Sequence, residues 1–150
     1  MKRILFVCHG NICRSPMAEF VMKNIVTENG RTDDFFIESC ATTDEEIGND
    51  VYPPVKRILT EKGVPFARRK ARKLISDDYG KFDLIVCMDE ENVRGLKRII
   101  PEDPENKVSL LMSHAGRECG ISDPWYHGDF ERTFGEISTG CLCLFRELKD

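Results

Sequence analysis

The chain has 150 residues, 41% hydrophobic and 32% charged, with a net charge of −4. That balance suits one globular domain spanning 1–150, large enough for a real core, and it offers no basis for nonspecific binding to nucleic acid or to a membrane surface. No apolar run approaches the ~20 residues of a membrane span. Seven cysteines, an odd number without regular spacing, do not form a disulfide framework, and the five-residue apolar run behind Met1-Lys2-Arg3 is too short for a secretory leader. A reducing, cytoplasmic setting and a monomer are therefore expected.

Ile4 to Val7 is apolar on both faces, the pattern of a central strand in a parallel sheet. A tight loop follows, Cys8-His9-Gly10-Asn11-Ile12-Cys13-Arg14-Ser15. Beyond it Ala18, Val21, Met22, Ile25 and Val26 recur at helical spacing until Asn29-Gly30 stops them. Ser15 is the expected N-cap, with Pro16 at the first helical position. Phe35-Phe36-Ile37 reads as a second strand ending near Ser39, and residues 40–52 as a polar loop. Pro53-Pro54 opens a helix through Val55, Ile58 and Leu59 that Gly63 closes. After a basic run, Arg68 to Lys73, residues 82–87 form a third strand, and Asp89 can cap a helix that ends before Pro101. Val108 to Met112 is the fourth strand, residues 113–128 a long loop, and Phe130, Phe134, Ile137, Cys141, Leu144 and Leu148 mark the last helix. Strands alternating with helices imply an α/β fold, a doubly wound parallel sheet with helices on both faces in three layers. In such sheets ligands bind beyond the strand C-termini, where the Cys8 loop, Asp89 and the long loop all fall.

The Cys8 loop combines two chemical functions. A thiol opens it and a guanidinium closes it six positions later. Gly10 and Asn11 tolerate the positive φ that a curled loop requires, so backbone N–H groups can turn inward around one anion. The helix that follows points its N-terminus at the same place, adding partial positive charge. Arg14 can hold two phosphate oxygens through its planar fork, and this field favours a thiolate at Cys8. His9, Gly10, Asn11, Ile12, Cys13 and Arg14 are thus the phosphate-binding candidates, with the His9 side chain expected to face solvent. A thiolate attacking phosphorus expels an oxyanion that benefits from a proton donor. The long loop supplies a candidate in Asp123-Pro124-Trp125-Tyr126, where Pro124 stiffens Asp123 and two aromatics can wall a ring-sized cleft. Cys13 lies close enough to Cys8 either to form a reversible protective disulfide or to serve as a small apolar filler. His114 and His127 lack metal-ligand spacing, and neither a metal nor a cofactor is expected.

From Cys8 to Pro16 the sequence resembles the signature loop of the low-molecular-weight protein tyrosine phosphatases, Cys-x-Gly-Asn-Ile-Cys-Arg-Ser-Pro. The resemblance continues to the C-terminus. It implies a four-stranded parallel sheet, a phosphocysteine intermediate on Cys8, and phosphotyrosyl proteins as substrates. It makes Asp123 general acid in the first step and general base in the second, with Trp125 and Tyr126 in the substrate cleft. Ser15 supports the loop, Ser39 matches a serine that hydrogen-bonds the loop asparagine, here Asn11, and Asp89 matches an aspartate that supports the phosphate loop. Asp89 could hold Arg14, hold loop backbone, or cap its helix. The chain departs from the family at two places. Glu45 stands where many members carry an aromatic, making the rim more acidic, and Arg69-Lys70-Ala71-Arg72 stands where many have a histidine before Ala-Arg. The basic run is either a solvated face or a docking surface for acidic residues. Two related activities share this fold and loop. A thiol-dependent arsenate reductase needs two further relay cysteines. A protein-arginine phosphatase has threonine where this chain has Ile12, and lacks the paired aromatics.

Overall fold

The structure, a computed structural model, describes residues 1–150. Four strands form one parallel sheet: β1 (Lys2–Cys8), β2 (Phe35–Ala41), β3 (Leu84–Cys87) and β4 (Val108–Leu110), in the order β2-β1-β3-β4. Six helices connect and follow them: α1 (Arg14–Glu28), α2 (Pro53–Glu61), α3 (Asp78–Lys81), α4 (Glu90–Lys97), α5 (Pro124–His127) and α6 (Phe130–Leu148). The expected α/β class and helix-covered parallel sheet are both present.

Strand β1 explains the layering. Its side chains alternate, so Ile4, Phe6 and Cys8 join the core beneath α1, α2 and α6, whereas Leu5 and Val7 join a second core with Leu96 and Ile100. Burial on both sides is why the run carries no polar residue between Ile4 and Val7. Pairing places Val7 between Cys40 of β2 and Cys87 of β3, so three strands end together and their following loops share one edge.

Several local expectations change. Ser15 is not the N-cap: α1 starts at Arg14 with Cys13 as its cap residue, because the loop curls tightly enough for the Cys13 carbonyl to accept already from Met17 N–H at 3.1 Å. Pro16 is therefore the third helical residue rather than the first. Strand β2 runs on to Ala41, which also bridges to Lys73, so the segment taken as loop begins later. Strand β4 stops at Leu110 instead of Met112. Leu111 opens a 3-10 turn, Leu111–Ala115, that seats on α6, where a Cβ at Gly140 would come within 2.6 Å of Leu111 Cγ. The long loop contains the one-turn helix α5, capped by Asp123 Oδ1 accepting from Trp125 N–H at 3.0 Å. No helix is long and apolar enough to cross a membrane.

Candidate active site

The loop between β1 and α1 lies at the C-terminal edge of the sheet. Asn11 is its keystone. It sits at φ 60°, in the left-handed region, and five hydrogen bonds hold it there. Its Nδ2 donates to Ser15 Oγ (2.8 Å) and Ser39 Oγ (2.9 Å), and its Oδ1 accepts from Arg72 N–H (3.2 Å). Its carbonyl accepts from Arg69 Nη2, and its own N–H donates to Cys8 Sγ at 3.3 Å. Ser39 donates onward to Glu19 Oε1 at 2.6 Å, so its oxygen is free only to accept from Asn11. Glu19 is itself neutralised by Lys23 at 2.6 Å.

Cys8 is buried at the floor of the cleft, its sulfur 3.0 Å from Ser15 Oγ. Ser15 Oγ is also 3.3 Å from the Cys40 carbonyl, so its single proton has two acceptors to choose between. The backbone N–H groups of Gly10, Ile12 and Cys13 form no hydrogen bond within the protein, although the loop is packed against the core. Unpaired donors gathered on one curled loop suit an anion-binding concavity.

Arg14 is buried and doubly anchored. Nη1 donates to Asp89 Oδ2 (2.6 Å) and to the Ile121 carbonyl (2.8 Å), while Nη2 lies 3.5 Å from Asp123 Oδ2. Burial alone would lower its pKa, but Cys8, Asp89 and Asp123 outweigh that and raise it, so the guanidinium stays charged. Asp89 also caps α4, accepting from Asn92 N–H at 2.8 Å, so one carboxylate both starts a helix and holds the arginine. Gly120 makes this contact possible, since a Cβ there would fall 2.8 Å from Asp89 Cβ.

Cys8, His9, Gly10, Ile12, Cys13, Arg14, Glu45, Glu46, Asp123, Trp125 and Tyr126 line one cleft of about 150 Å³, open to solvent. Of the residues expected from sequence, only Asn11, Ser15, Ser39 and Asp89 stand outside its lining, in the layer that holds the loop. Trp125 is half-exposed and Tyr126 almost wholly so. The His9 ring is half-exposed, with Nε2 2.8 Å from Glu45 Oε2. No group of three or more His, Cys, Asp or Glu side chains is arranged to hold a metal ion.

Some site residues escaped the sequence reading. Tyr52 packs against Trp125 with ring centroids 4.7 Å apart and planes inclined by 47°, and its N–H donates to the Ile12 carbonyl at 2.9 Å, tying the aromatic wall to the Cys8 loop. The basic run is not simply a solvated face. The Arg69 guanidinium turns inward to the Asn11 carbonyl, while Arg72 donates its backbone N–H to Asn11 Oδ1 and forms a two-pronged ion pair with the buried Asp78. Glu19 gave no signal beyond a carboxylate on the apolar side of α1. All seven cysteines are free thiols. Burial pushes Cys13, Cys40, Cys87 and Cys141 well above the ordinary thiol range.

A thiol on the floor of a loop with unpaired N–H groups, with a buried arginine beside it and a carboxylate at the mouth, is a cysteine-centred candidate site for an anionic substrate at the edge of a doubly wound sheet. The chain belongs to the low molecular weight phosphotyrosine protein phosphatase family, a group of phosphoric monoester hydrolases, whose model matches residues 3–150. It is 35% identical over 153 residues to the low molecular weight phosphotyrosine protein phosphatase of Sus scrofa, covering 99% of this chain and 96% of that protein. Among solved structures, YfkJ from Bacillus subtilis has a TM-score of 0.95 at 31% identity, covering 99% of this chain and 95% of that one. An arginine phosphatase from drosophila has a TM-score of 0.89 at 28% identity, covering 100% of this chain and 99% of that one.

Proposed function

We propose that the chain hydrolyses phosphotyrosine in proteins, and aryl phosphates generally, through a phosphocysteine on Cys8. The observation that supports this most directly is the convergence on one aromatic-walled cleft of Cys8, the unpaired loop N–H groups, Arg14 and Asp123. The phosphate settles among the N–H groups of the loop and the free edge of the Arg14 guanidinium. Its arrival displaces the long contact between Arg14 and Asp123 and leaves Asp123 facing the ester oxygen. The Cys8 thiolate attacks phosphorus in line and forms the S–P bond. The P–O bond to the tyrosyl oxygen breaks as Asp123 gives that oxygen its proton. Water then attacks the phosphocysteine, passing a proton to the Asp123 carboxylate. The S–P bond breaks, orthophosphate leaves, and the thiolate is restored.

Asn11 N–H and Ser15 serve the sulfur in both steps. With Cys8 ionised, the Ser15 proton turns from the Cys40 carbonyl to the sulfur, because a charged acceptor makes the stronger hydrogen bond. The planar contacts of Arg14 require a guanidinium, so Lys at this position gives only a point charge.

The test is a pair of variants. Cys8→Ser abolishes turnover in a folded protein, and residual activity within about tenfold of wild type removes Cys8 as nucleophile. Asp123→Asn still binds phosphate and vanadate, while kcat on phenolic leaving groups falls by ~10²–10⁴, least for nitrophenolate, which departs easily as an anion. Phosphoarginine is the second substrate to assay, because the drosophila arginine phosphatase has the same fold over the whole chain. Ile12 in the loop and the Trp125–Tyr126 wall support the aryl substrate over it.

A further inference from the structure

The mouth of the cleft carries an unbalanced charge. Arg14 is buried and held by Asp89 and Asp123, so the cation at the cleft floor is committed to the phosphate site. The remaining carboxylates of the lining are Glu45 and Glu46. Glu45 is 64% exposed and pairs only with the His9 imidazole. Glu46 accepts from the neutral Asn49 side chain at 2.5 Å and meets no cation. Beyond His9 a second groove is lined by Thr42, Thr43, Asp44, Lys73, Glu91 and Arg98, two cations against two carboxylates, so it adds no net charge. The basic run does not offset the rim either. Arg69 and Arg72 are spent on Asn11 and Asp78, and none of its residues lines the cleft.

Building on the phosphotyrosine reading, we propose that Glu45 and Glu46 form a specificity site that selects phosphotyrosine flanked by lysine or arginine and disfavours phosphotyrosine flanked by aspartate or glutamate. An extended peptide advances ~3.3–3.6 Å per residue, so residues one or two positions from the phosphotyrosine stand over the rim of a cleft this small. A basic side chain there meets two carboxylates, and its stem can lie along the exposed Tyr126 ring. An acidic side chain meets the same carboxylates as like charges. His9 keeps the Glu45 carboxylate at the lip, since its Nε2–H can donate whether or not the ring carries a second proton. The rim is solvated, so each contact is worth no more than a surface charge pair, and two flanking residues that attract in one peptide and repel in the other together give about three- to tenfold in kcat/KM, which salt weakens.

The experiment uses the full chain and two phosphotyrosine peptides identical except for lysine or glutamate on both sides of the phosphotyrosine. The readout is the ratio of their kcat/KM values on one enzyme preparation, so any misfolded fraction cancels. The wild type prefers the lysine peptide by about three- to tenfold at low salt, and the preference shrinks at ~0.3 M salt. Glu45→Gln with Glu46→Gln brings the ratio close to one, and Glu45→Lys reverses it. Equal kcat/KM for the two peptides in the wild type, or a ratio unchanged in the double variant, overturns the rim proposal and leaves the phosphatase reading intact. If neither peptide nor nitrophenyl phosphate is hydrolysed, the phosphatase reading itself fails, and the rim proposal with it.

Discussion

Replacing Asp89 tests the link between helix capping and phosphate binding. Its two carboxylate oxygens have separate tasks. Oδ1 accepts from Asn92 N–H at 2.8 Å and starts α4, while Oδ2 accepts from Arg14 Nη1 at 2.6 Å. In Asp89→Asn the amide oxygen can keep the cap, but an NH₂ group then faces a guanidinium. Removing one partner of a buried ion pair costs ~3–5 kcal/mol. Here Arg14 keeps the Ile121 carbonyl at 2.8 Å and Asp123 at 3.5 Å, and the Asp89 side chain is 26% exposed, so water reaches the pair. We expect a loss of about 1–3 kcal/mol. Asp89→Ala loses the cap as well and falls about 1 kcal/mol further. Both variants misplace the same guanidinium, so both should lower kcat/KM by a similar ~10–10². Urea unfolding followed by circular dichroism gives the stabilities, and hydrolysis of an aryl phosphate gives the rates. Asp89→Asn with wild-type kcat/KM, or Asp89→Ala no less stable than Asp89→Asn, refutes the division of labour between the two oxygens.

Gly120→Ala should mimic Asp89→Asn in rate, because the new methyl lies 2.8 Å from Asp89 Cβ and 3.0 Å from its Cα, whereas Gly80→Ala, with nothing within 4 Å, should leave kcat/KM unchanged. Tyr52→Ala removes the ring packed against Trp125 and should raise KM for aryl phosphates several-fold, equivalent to about 1 kcal/mol, with a smaller effect on kcat; steady-state kinetics separate the two. Asp50 should contribute to acid stability. Burial raises its pKa, but the Lys56 ammonium and the N–H groups of Val51 and Arg69 more than offset this and bring it to about 2 from 3.8. Its contribution is therefore full above the unfolded value and is lost as pH falls toward 2. Asp50→Asn should flatten the decline of stability between about pH 4 and pH 2 by about 1 kcal/mol, after allowance for solvent screening, and pH-dependent urea denaturation measures it.

Features encoded locally are legible in the sequence itself. An unbroken apolar run fits only a strand buried on both faces, and β1 is one. Gly-Asn between a strand and a helix allows the left-handed turn that Asn11 makes, and Asp-Pro followed by two aromatics occupies the cleft as a unit. Ser15 misled because N-cap preference concerns only the nearest backbone, whereas its hydroxyl is shared by Cys8, Asn11 and Cys40 from two strands and the loop. Asp89 offered a cap or an arginine contact, and the folded chain uses one oxygen for each. The basic run gave no hint of direction. Arg69 turns inward because the Asn11 carbonyl, raised by a left-handed residue, lies 58 positions earlier and next to it in space. Tyr52 follows β2 and Trp125 follows β4, the two outer strands, and their rings meet only because the loops leaving all four parallel strands gather at the same C-terminal edge of the sheet. Periodicity and capping rules report on neighbours within about four positions, whereas hydrogen bonds and stacking are satisfied by whatever the sheet order brings within 3–5 Å.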